Sequence, residues 1–221
     1  MAERHEHVIG TTVLGRPIEA VQFLPPSYAK PRPPALLFGA IHGDEAVTQL
    51  MLERLADELV ERPPGRDTWI VPCVNVDGTL AGTRNNANDV DLNRNFASTS
   101  WGTQRKPGHN PGKQAEDQPE TRAVVALVDR IGAQRLIALH STYRMVNWDG
   151  SGAALAHEMS ARCGYPVCHD MGYPTPGSFG TKYGVERGLE VITLEVPYLM
   201  IDEQAWTDCR SALRWSVDLP D

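Results

Sequence analysis

The sequence predicts an α/β domain in which helices cover both faces of a central sheet. Candidate strands and helices alternate along the chain, which is the pattern of layered α/β folds. The segment "PALLFGAI" (34–41) is a continuous apolar run after a proline-rich stretch, as expected for a buried strand. Residues 44–61 carry Val47, Met51 and Leu55 at four-residue steps. This spacing predicts an amphipathic helix that packs on the sheet.

The remaining elements follow from similar patterns. Residues 7–24 predict two strands joined by a turn at "LGRP". Further strands are predicted in three apolar segments: 68–76, 135–141 and 190–196. Further helices are predicted in three segments: about 118–132, 152–163 and 202–217. The chain contains no internal repeat and no flexible linker, so one domain is expected over residues 1–221.

Composition and charge exclude several classes of protein. A hydrophobic share of 41% over 221 residues is ordinary for a soluble globular protein. The net charge of −7 argues against general binding to nucleic acid, which needs a basic surface. No apolar run approaches the ~20 residues that span a bilayer, so no membrane partner is expected. The charged start "MAERHEHVIG" has no apolar core of a signal peptide, which favours a cytoplasmic protein.

The four cysteines are scattered without the spacing of a disulfide framework: Cys73, Cys163, Cys168 and Cys209. This distribution favours reduced thiols in a cytoplasm. Cys163 and Cys168, followed by His169, leave a second metal site open as an alternative. The other interpretation is that they are ordinary small residues in a loop-to-strand segment.

Two adjoining segments do not fit the pattern of strands and helices. Residues 82–96, "GTRNNANDVDLNRNF", hold five Asn, two Arg and two Asp, so they contribute little to a core. Residues 97–118 have no usable periodicity and are rich in Gly, Pro and polar side chains. Long connections of this kind are usually functional or mobile. A lid or rim beside a site and an idle surface loop are both open for residues 97–118.

Histidine and glutamate side chains lie where three predicted strands end. His42 and Glu45 follow the strand at 34–41. His140 lies at the end of the predicted strand 135–141, and Glu195 lies at the end of the predicted strand 190–196. Ligands of open α/β sheets bind outside the carboxyl ends of the strands. Two His and one Glu are suitable ligands for a catalytic zinc, and a further carboxylate supplies a base. These parts predict a zinc hydrolase.

Each of these residues also has a structural interpretation. His42 and Glu45, taken singly, fit a surface histidine and an acid favoured by a helix N-terminus. His140 fits a core histidine bonded to a backbone carbonyl. Glu195 follows apolar residues, where a carboxylate is costly unless it has a partner. The convergence of the four residues at strand ends favours the metal site.

The order of short motifs resembles that of the zinc metallocarboxypeptidases over residues ~34–197. Six motifs carry the resemblance: "HGDE" (42–45), "NVDG" (75–78), "TR" (83–84), "DLNRNF" (91–96), "HS" (140–141) and "TLE" (193–195). The resemblance implies a three-layer α/β/α sandwich with a mixed central sheet. It also implies one Zn²⁺ per chain, held by His42, Glu45 and His140.

The same resemblance implies roles for the remaining candidate residues. Glu195 would be the general base and acid, and Arg84 would polarise the scissile carbonyl and stabilise the oxyanion. Substrate binding is implied for six residues: Asn93, Arg94, Ser141, Tyr173, Gly180 and Thr181. Asn93 and Arg94 would hold the free carboxylate of the released residue, and Tyr173 would cover bound substrate. Gly180 and Thr181 predict a roomy, uncharged floor of the specificity pocket.

Structural alternatives also stay open for three of these residues. Arg84 or Arg94 could simply pair with Asp89 or Asp91. Tyr173 could be a packing residue in front of a proline.

Within this family, residues 173–197 and "PETRA" (119–123) are similar to a group of bacterial murein peptide amidases. Those enzymes hydrolyse the γ-D-glutamyl–meso-diaminopimelate bond of murein tripeptide during cytoplasmic cell-wall recycling. The implied partner is therefore a small peptide with a free carboxylate. Val76 and Ala97 depart from the family pattern, which usually has proline in "NPDG" and often after "DLNRNF", but neither change removes a ligand.

Two further function classes stay open. One is an N-acyl amino acid deacylase of the aspartoacylase or succinylglutamate desuccinylase type, which also uses a His-x-x-Glu and a later His. The other is a non-catalytic peptide-binding relative.

Overall fold

The structure is a computed structural model that describes residues 3–103, 106–197 and 202–218. In these residues, eight strands form one mixed sheet in the order β1-β2-β4-β3-β5-β8-β6-β7. The strands are β1 (Arg4–Thr11), β2 (Pro17–Phe23), β3 (Ala35–Phe38), β4 (Thr68–Val71), β5 (Arg135–Thr142), β6 (Met145–Gly150), β7 (Val167–Cys168) and β8 (Glu190–Pro197). The α-helices are α1 (Ala46–Glu61), α2 (Val76–Ala81), α3 (Pro119–Ile131), α4 (Ala153–Cys163) and α5 (Asp202–Ser216). No helix in the described part of the chain is long and apolar enough to cross a membrane.

The direction of the strands decides where the polar strand ends meet. β4, β3, β5 and β8 run parallel to one another, whereas β2 pairs antiparallel with β4 and β6 antiparallel with β8. The carboxyl ends of β3, β5 and β8 therefore lie at one edge of the sheet. In the register of β5 and β8, His140 is directly opposite Glu195.

The core consists of two layers, one on each face of the sheet. Alternate residues of a strand point to opposite faces, so Leu37 packs with α1, α4 and α5 while Leu36 and Phe38 pack with α3. This arrangement confirms the α/β/α sandwich with a mixed sheet. The expectation of a single domain over residues 1–221 stays a prediction.

The structure also contains elements that the sequence patterns did not predict. β6 and β7 form one end of the sheet, and the predicted strand 68–76 is split into β4 and the short helix α2. Asn75 ends the loop between them, because its Oδ1 accepts a hydrogen bond from Gly78 N at 3.0 Å and caps α2. Residues Gly180–Val185 form a π-helical turn and Leu92–Arg94 a single 3₁₀ turn.

Candidate active site

The candidate metal ligands come together at the carboxyl ends of β3 and β5. His42 lies after β3, Glu45 precedes the first residue of α1, and His140 lies near the end of β5. Glu45 lies between the two rings: its Oε1 is 2.9 Å from His42 Nδ1 and its Oε2 is 3.1 Å from His140 Nδ1. One ligand atom of each residue lies within 4.8 Å of the others, so the three could hold a metal ion. This geometry brings the sequence-predicted trio together.

The chemistry of this cluster fits a divalent zinc ion. Two imidazole nitrogens and one carboxylate are a common set of ligands for a catalytic zinc. His42 Nε2 lies 3.1 Å from Asp91 Oδ1, and a carboxylate on the far ring nitrogen is the usual way to orient a metal-binding histidine. Burial acts to lower the pKa of His42, but the carboxylates of Glu45 and Asp91 outweigh burial and raise it to about 9. The buried carboxylates therefore make this cavity favourable for positive charge.

Hydrogen bonds between the two neighbouring loops fix His42 and Arg84. Ala40 takes an unusual positive φ of 44°, which turns the chain sharply just after β3. Its N–H donates to Thr48 Oγ1 at 2.8 Å and its carbonyl accepts from Asn75 N at 2.9 Å. Asn75 Nδ2 in turn donates to the carbonyl of Arg84 at 3.1 Å. The "NVDG" motif thus positions the backbone of Arg84 beside the metal ligands.

The two arginines of the polar loop have different surroundings. Arg84 donates from Nη2 to Asp91 Oδ2 at 3.1 Å, and the pKa of Arg84 is raised because Asp91 and Glu45 outweigh its burial. The ion-pair alternative therefore holds for Arg84, although its side chain still lines the cavity. Arg94 is 7% exposed and donates from Nη1 to Asn93 O at 2.7 Å. No carboxylate of the described residues lies within 4.0 Å of the Arg94 guanidinium, and burial lowers its pKa.

Glu195 and Tyr173 also line this cavity, and Tyr173 shares a small side pocket with Arg94. Glu195 is 6% exposed, and its closest hydrogen-bond donor in the described structure is Tyr143 N at 3.5 Å from Oε2. Burial raises the pKa of Glu195, and the charge of Glu45 adds to this effect. Burial, together with Tyr143 and Glu195, raises the pKa of Tyr173 to about 12, so its hydroxyl remains a hydrogen-bond donor at neutral pH.

A cavity of about 330 Å³ brings together all but one of the sequence-predicted site residues. It is lined by His42, Glu45, Arg84, Asn93, Arg94, His140, Ser141, Tyr173, Gly180 and Glu195. Thr181 does not line it, because the Thr181 hydroxyl lies 2.9 Å from Ser178 Oγ and donates to Thr175 O at 3.1 Å. Thr181 therefore braces the loop behind the cavity rather than facing a ligand.

Asp149, which sequence reasoning missed, places a carboxyl group in the lining of the cavity beside Gly180. A Cβ added at Gly180 would lie 2.4 Å from Asp149 Oδ2, and one added at Gly184 would lie 2.2 Å from Asp149 Cβ. The two glycines of the π-helical turn therefore leave the space that Asp149 fills. Burial raises the pKa of Asp149, against a weaker opposing effect of His169. The expectation of an uncharged floor did not include this carboxyl group, and the charge of the floor stays a prediction.

The amides of the polar loop have a structural task that the sequence did not indicate. Asn95 is fully buried, and its Nδ2 donates to Pro111 O and to Asp117 Oδ1, both at 2.8 Å. Asn86 Nδ2 donates to Glu120 Oε2 at 3.0 Å. These bonds fasten residues 111–120 to the loop. Lys106 and His109, which precede these residues, line the cavity, so the described residues around them form part of its rim.

The described residues do not support a second metal site. Their only group of three or more potential metal ligands is His42, Glu45 and His140. The His169 ring stacks on Trp148 with centroids 4.0 Å apart, and Cys168 Sγ donates to Asp170 O. The cysteines and His169 are therefore held by ordinary packing and hydrogen bonds.

Residues 3–163 match the family described as zinc carboxypeptidase. Murein peptide amidase A of Escherichia coli strain K12 is 31% identical over 206 residues, which cover 88% of this chain and 82% of that protein. The protein of the same name from Vibrio campbellii is 31% identical, with 87% of this chain and 79% of the relative covered.

Solved structures agree with these sequence relatives. The crystal structure of a murein-tripeptide amidase from Escherichia coli O157 superposes with a TM-score of 0.80 at 27% identity, covering 98% of this chain and 93% of that one. Carboxypeptidase A from Helicoverpa armigera gives a TM-score of 0.82 at 17% identity over 96% of this chain and 67% of that one, which shows the common fold. The potential metal-binding residues, the fold and the sequence agree, and the chain belongs to the zinc carboxypeptidase family.

Proposed function

We propose that this metallohydrolase cleaves the γ-D-glutamyl–meso-diaminopimelate bond of murein tripeptide. As a member of the zinc carboxypeptidase family, the protein uses zinc. The observation that carries the choice of substrate is the distribution of charge in the cavity. Arg94 lies on one side without a carboxylate partner among the described residues, and Asp149 lies on the floor. The diaminopimelate residue has a carboxylate beside the scissile bond and an ammonium group at the far end of its side chain.

Each of the proposed catalytic residues has a defined task. Zinc, held by His42, Glu45 and His140, would supply a Lewis acid that activates water and polarises a carbonyl. Glu195 would accept the proton of the attacking water and deliver it to the leaving amine. Its buried, sparsely hydrogen-bonded carboxylate and raised pKa suit a group that must both take and give a proton. Arg84 would stabilise the negative charge that develops on the carbonyl oxygen.

The leaving residue would be held by its charges at both ends. The Arg94 guanidinium can grip a carboxylate with two parallel hydrogen bonds, and Asn93 adds a neutral donor beside it. Tyr173 would donate its phenolic hydrogen bond over the bound residue. Asp149 would accept hydrogen bonds from the distal ammonium. The half-buried carboxylate has no ion-pair partner among the described residues, so the ammonium would supply one. Ser141 and Gly180 would line the channel between these two ends.

The relatives support the same substrate. Two proteins that are 31% identical to this chain are named murein peptide amidase A, and a solved structure at 27% identity is titled a murein-tripeptide amidase. We further propose that the enzyme works in the cytoplasm on peptides released from the cell wall. The four cysteines are free thiols in the described structure, which is consistent with a reducing compartment.

The test is product analysis after incubation with L-Ala-γ-D-Glu-meso-diaminopimelate. Peptides with C-terminal Phe, Lys and Glu, and a set of N-acyl amino acids, are assayed in parallel. Release of diaminopimelate at a higher kcat/KM than any other product is the expected result. Preferred cleavage of N-acyl amino acids would favour the deacylase alternative, and binding without turnover by the zinc-loaded protein would favour a peptide-binding relative.

A pair of matched substrates tests Asp149. One γ-D-Glu tripeptide ends in lysine and the other in norleucine, which has a similar chain without the ammonium. Asp149→Asn should lower kcat/KM for the lysine peptide by about tenfold to a hundredfold, because a charge-assisted hydrogen bond is worth ~1.5–3 kcal/mol. The norleucine peptide should change little. Asp57→Asn, on the exposed face of α1, is the control, and unchanged lysine preference in Asp149→Asn would refute the role of Asp149.

A further inference from the structure

We infer that Lys106 and His109 form a second anion subsite at the rim of the cavity. This subsite would bind a carboxylate of the substrate other than the one held by Arg94. The inference rests on the proposed function, because it concerns the binding of a peptide with several carboxylates at the same active site. It gives residues 106–109 a role in selecting the substrate.

Residues 106–109, "KPGH", form a tight turn with a defined shape. His109 N donates to Lys106 O at 3.0 Å, and the two residues form an isolated antiparallel bridge. Gly108 has a φ of 78°. Proline at the second position and a residue with positive φ at the third are characteristic of a type II turn. Because Pro107 fixes its own φ, the turn holds the two side chains at a set separation.

The turn is fastened to the loop that carries the arginines. His109 Nδ1 lies 3.1 Å from Asp91 Oδ2, and Asp91 N donates to Asn110 O at 2.8 Å. Asn110 Nδ2 also donates to Asp89 O at 2.7 Å. An ionised carboxylate can only accept, so His109 Nδ1 carries the hydrogen of that bond. The other ring nitrogen, Nε2, is left for a ligand, and it donates to a carboxylate only in the imidazolium form, in which both ring nitrogens carry hydrogen.

The positively charged side chains at the rim favour the binding of an anion. Lys106 and His109 line the main cavity and also a narrow side pocket that they share with Arg94 and Tyr173. No carboxylate of the described residues lies within 4.0 Å of Lys106 Nζ or of the Arg94 guanidinium. Two cations that face one small space repel each other unless anions lie between them. One carboxylate can pair with the fork of Arg94, which leaves Lys106 for another.

The proposed substrate has two further carboxylates that could occupy this subsite. One is the α-carboxylate of the γ-linked glutamyl residue, on the acyl side of the scissile bond. An ordinary α-linked peptide has no carboxylate on the backbone at that position. The other is the distal carboxylate of diaminopimelate, on the leaving side. Both sources present the same chemistry to Lys106 and His109, so substrate analogues are needed to distinguish them.

The experiment compares kcat/KM for three tripeptides at two salt concentrations. The first is L-Ala-γ-D-Glu-meso-diaminopimelate. The second has the glutamyl α-carboxylate amidated, and the third has lysine in place of diaminopimelate, which keeps the ammonium but lacks the distal carboxylate. Lys106→Gln is compared with the wild type and with Lys113→Gln, an exposed lysine of the same segment that does not line the cavity. His109→Gln is the second variant.

Lys106→Gln should lower kcat/KM for the first tripeptide by about twofold to fivefold, the range of an exposed ion pair, mainly through KM. The analogue that lacks the bound carboxylate should be cleaved by Lys106→Gln with nearly the same kcat/KM as by the wild type. Its kcat/KM should also depend less on salt concentration. His109→Gln should spare the same analogue. Equal losses on all three tripeptides, or no loss on any, would overturn the inference while leaving the amidase proposal intact. Failure of the wild type to cleave any of the three would refute the proposed function and the second subsite with it.

Discussion

Replacing Arg94 by alanine removes the buried guanidinium that we propose holds the free carboxylate of the leaving residue. The side chain is 7% exposed and has one hydrogen bond, to the carbonyl of Asn93. Arg94→Ala should therefore cost the fold little, about 0.5–1.5 kcal/mol for that hydrogen bond. Substrate binding should suffer more, because the charge-assisted pair with a carboxylate is worth ~1.5–3 kcal/mol.

The assay is a two-by-two cycle of enzyme and substrate. Wild type and Arg94→Ala are each given the free acid and the C-terminal amide of the same γ-D-Glu tripeptide. On the free acid, Arg94→Ala should lower kcat/KM by about tenfold to more than a hundredfold. Amidation of the substrate should cost the wild type a similar factor. Arg94→Ala should lose little further on the amide, because both changes remove the same interaction.

Arg84→Ala is the comparison variant for this cycle. The Arg84 side chain lies between Asp91 and the cavity, with Nη1 3.8 Å from Glu45 Oε1, so its proposed partner is the developing oxyanion. Arg84→Ala should slow the free acid and the amide by the same factor. If Arg94→Ala keeps the full preference for the free acid, Arg94 is structural and the carboxylate grip lies elsewhere.

Three further predictions test the metal site, the base and the pocket floor. His140→Ala should lose most of its zinc by elemental analysis, and a chelator should abolish wild-type activity until zinc is returned; full occupancy in the variant would contradict the site. Glu195→Gln should keep zinc and substrate binding but lower kcat by ~10²–10⁴-fold. The acidic limb of the wild-type pH profile should also disappear in Glu195→Gln, because the base must be ionised: activity falls as pH falls through a pKa raised above the usual 4.5. Gly180→Ala should keep the melting temperature but weaken the preference for lysine over norleucine, because its methyl group displaces the movable tip of Asp149. Gly184→Ala, which meets Asp149 Cβ and backbone, should lower the melting temperature.

The metal ligands could be located from the sequence because their positions depend on local patterns. The apolar run before His42 and the strand that ends at His140 are recognisable one at a time. Parallel strands then bring their carboxyl ends to one edge of the sheet, whatever the details of packing. The register of β5 and β8, which puts His140 opposite Glu195, follows the same geometry. Local signals were sufficient for these residues because parallel pairing leaves only one edge of the sheet at which the ends of the strands can meet.

The floor of the pocket depends on contacts that no local pattern contains. β6 is six residues long and follows β5 after only two residues, so "MVNWDG" is easily taken for a loop. Asn147 and Asp149 are two residues apart and share one face of this strand, which is the signal that could have placed them together. This face of β6 lines the cavity because β6 pairs antiparallel with β8 and because Gly180 leaves room for Asp149. These contacts are long-range, and a single sequence does not report them.

The polar loop shows how two demands are met by different residue types. A loop that must present arginines at set positions has no ladder of backbone hydrogen bonds, yet its buried carbonyl groups need donors. Asn95 supplies such donors, and its amide carries no charge that would compete with the arginines. Asp91 is the one fully buried carboxylate of the loop, and it contacts His42, Arg84 and His109 together. The same side chain thus contacts His42, holds the arginine that we propose stabilises the oxyanion and fixes the rim, while Arg94 has no carboxylate partner among the described residues. The amides supply the hydrogen bonds that hold the loop, and the cations without a carboxylate partner among the described residues are the ones that we propose bind anions.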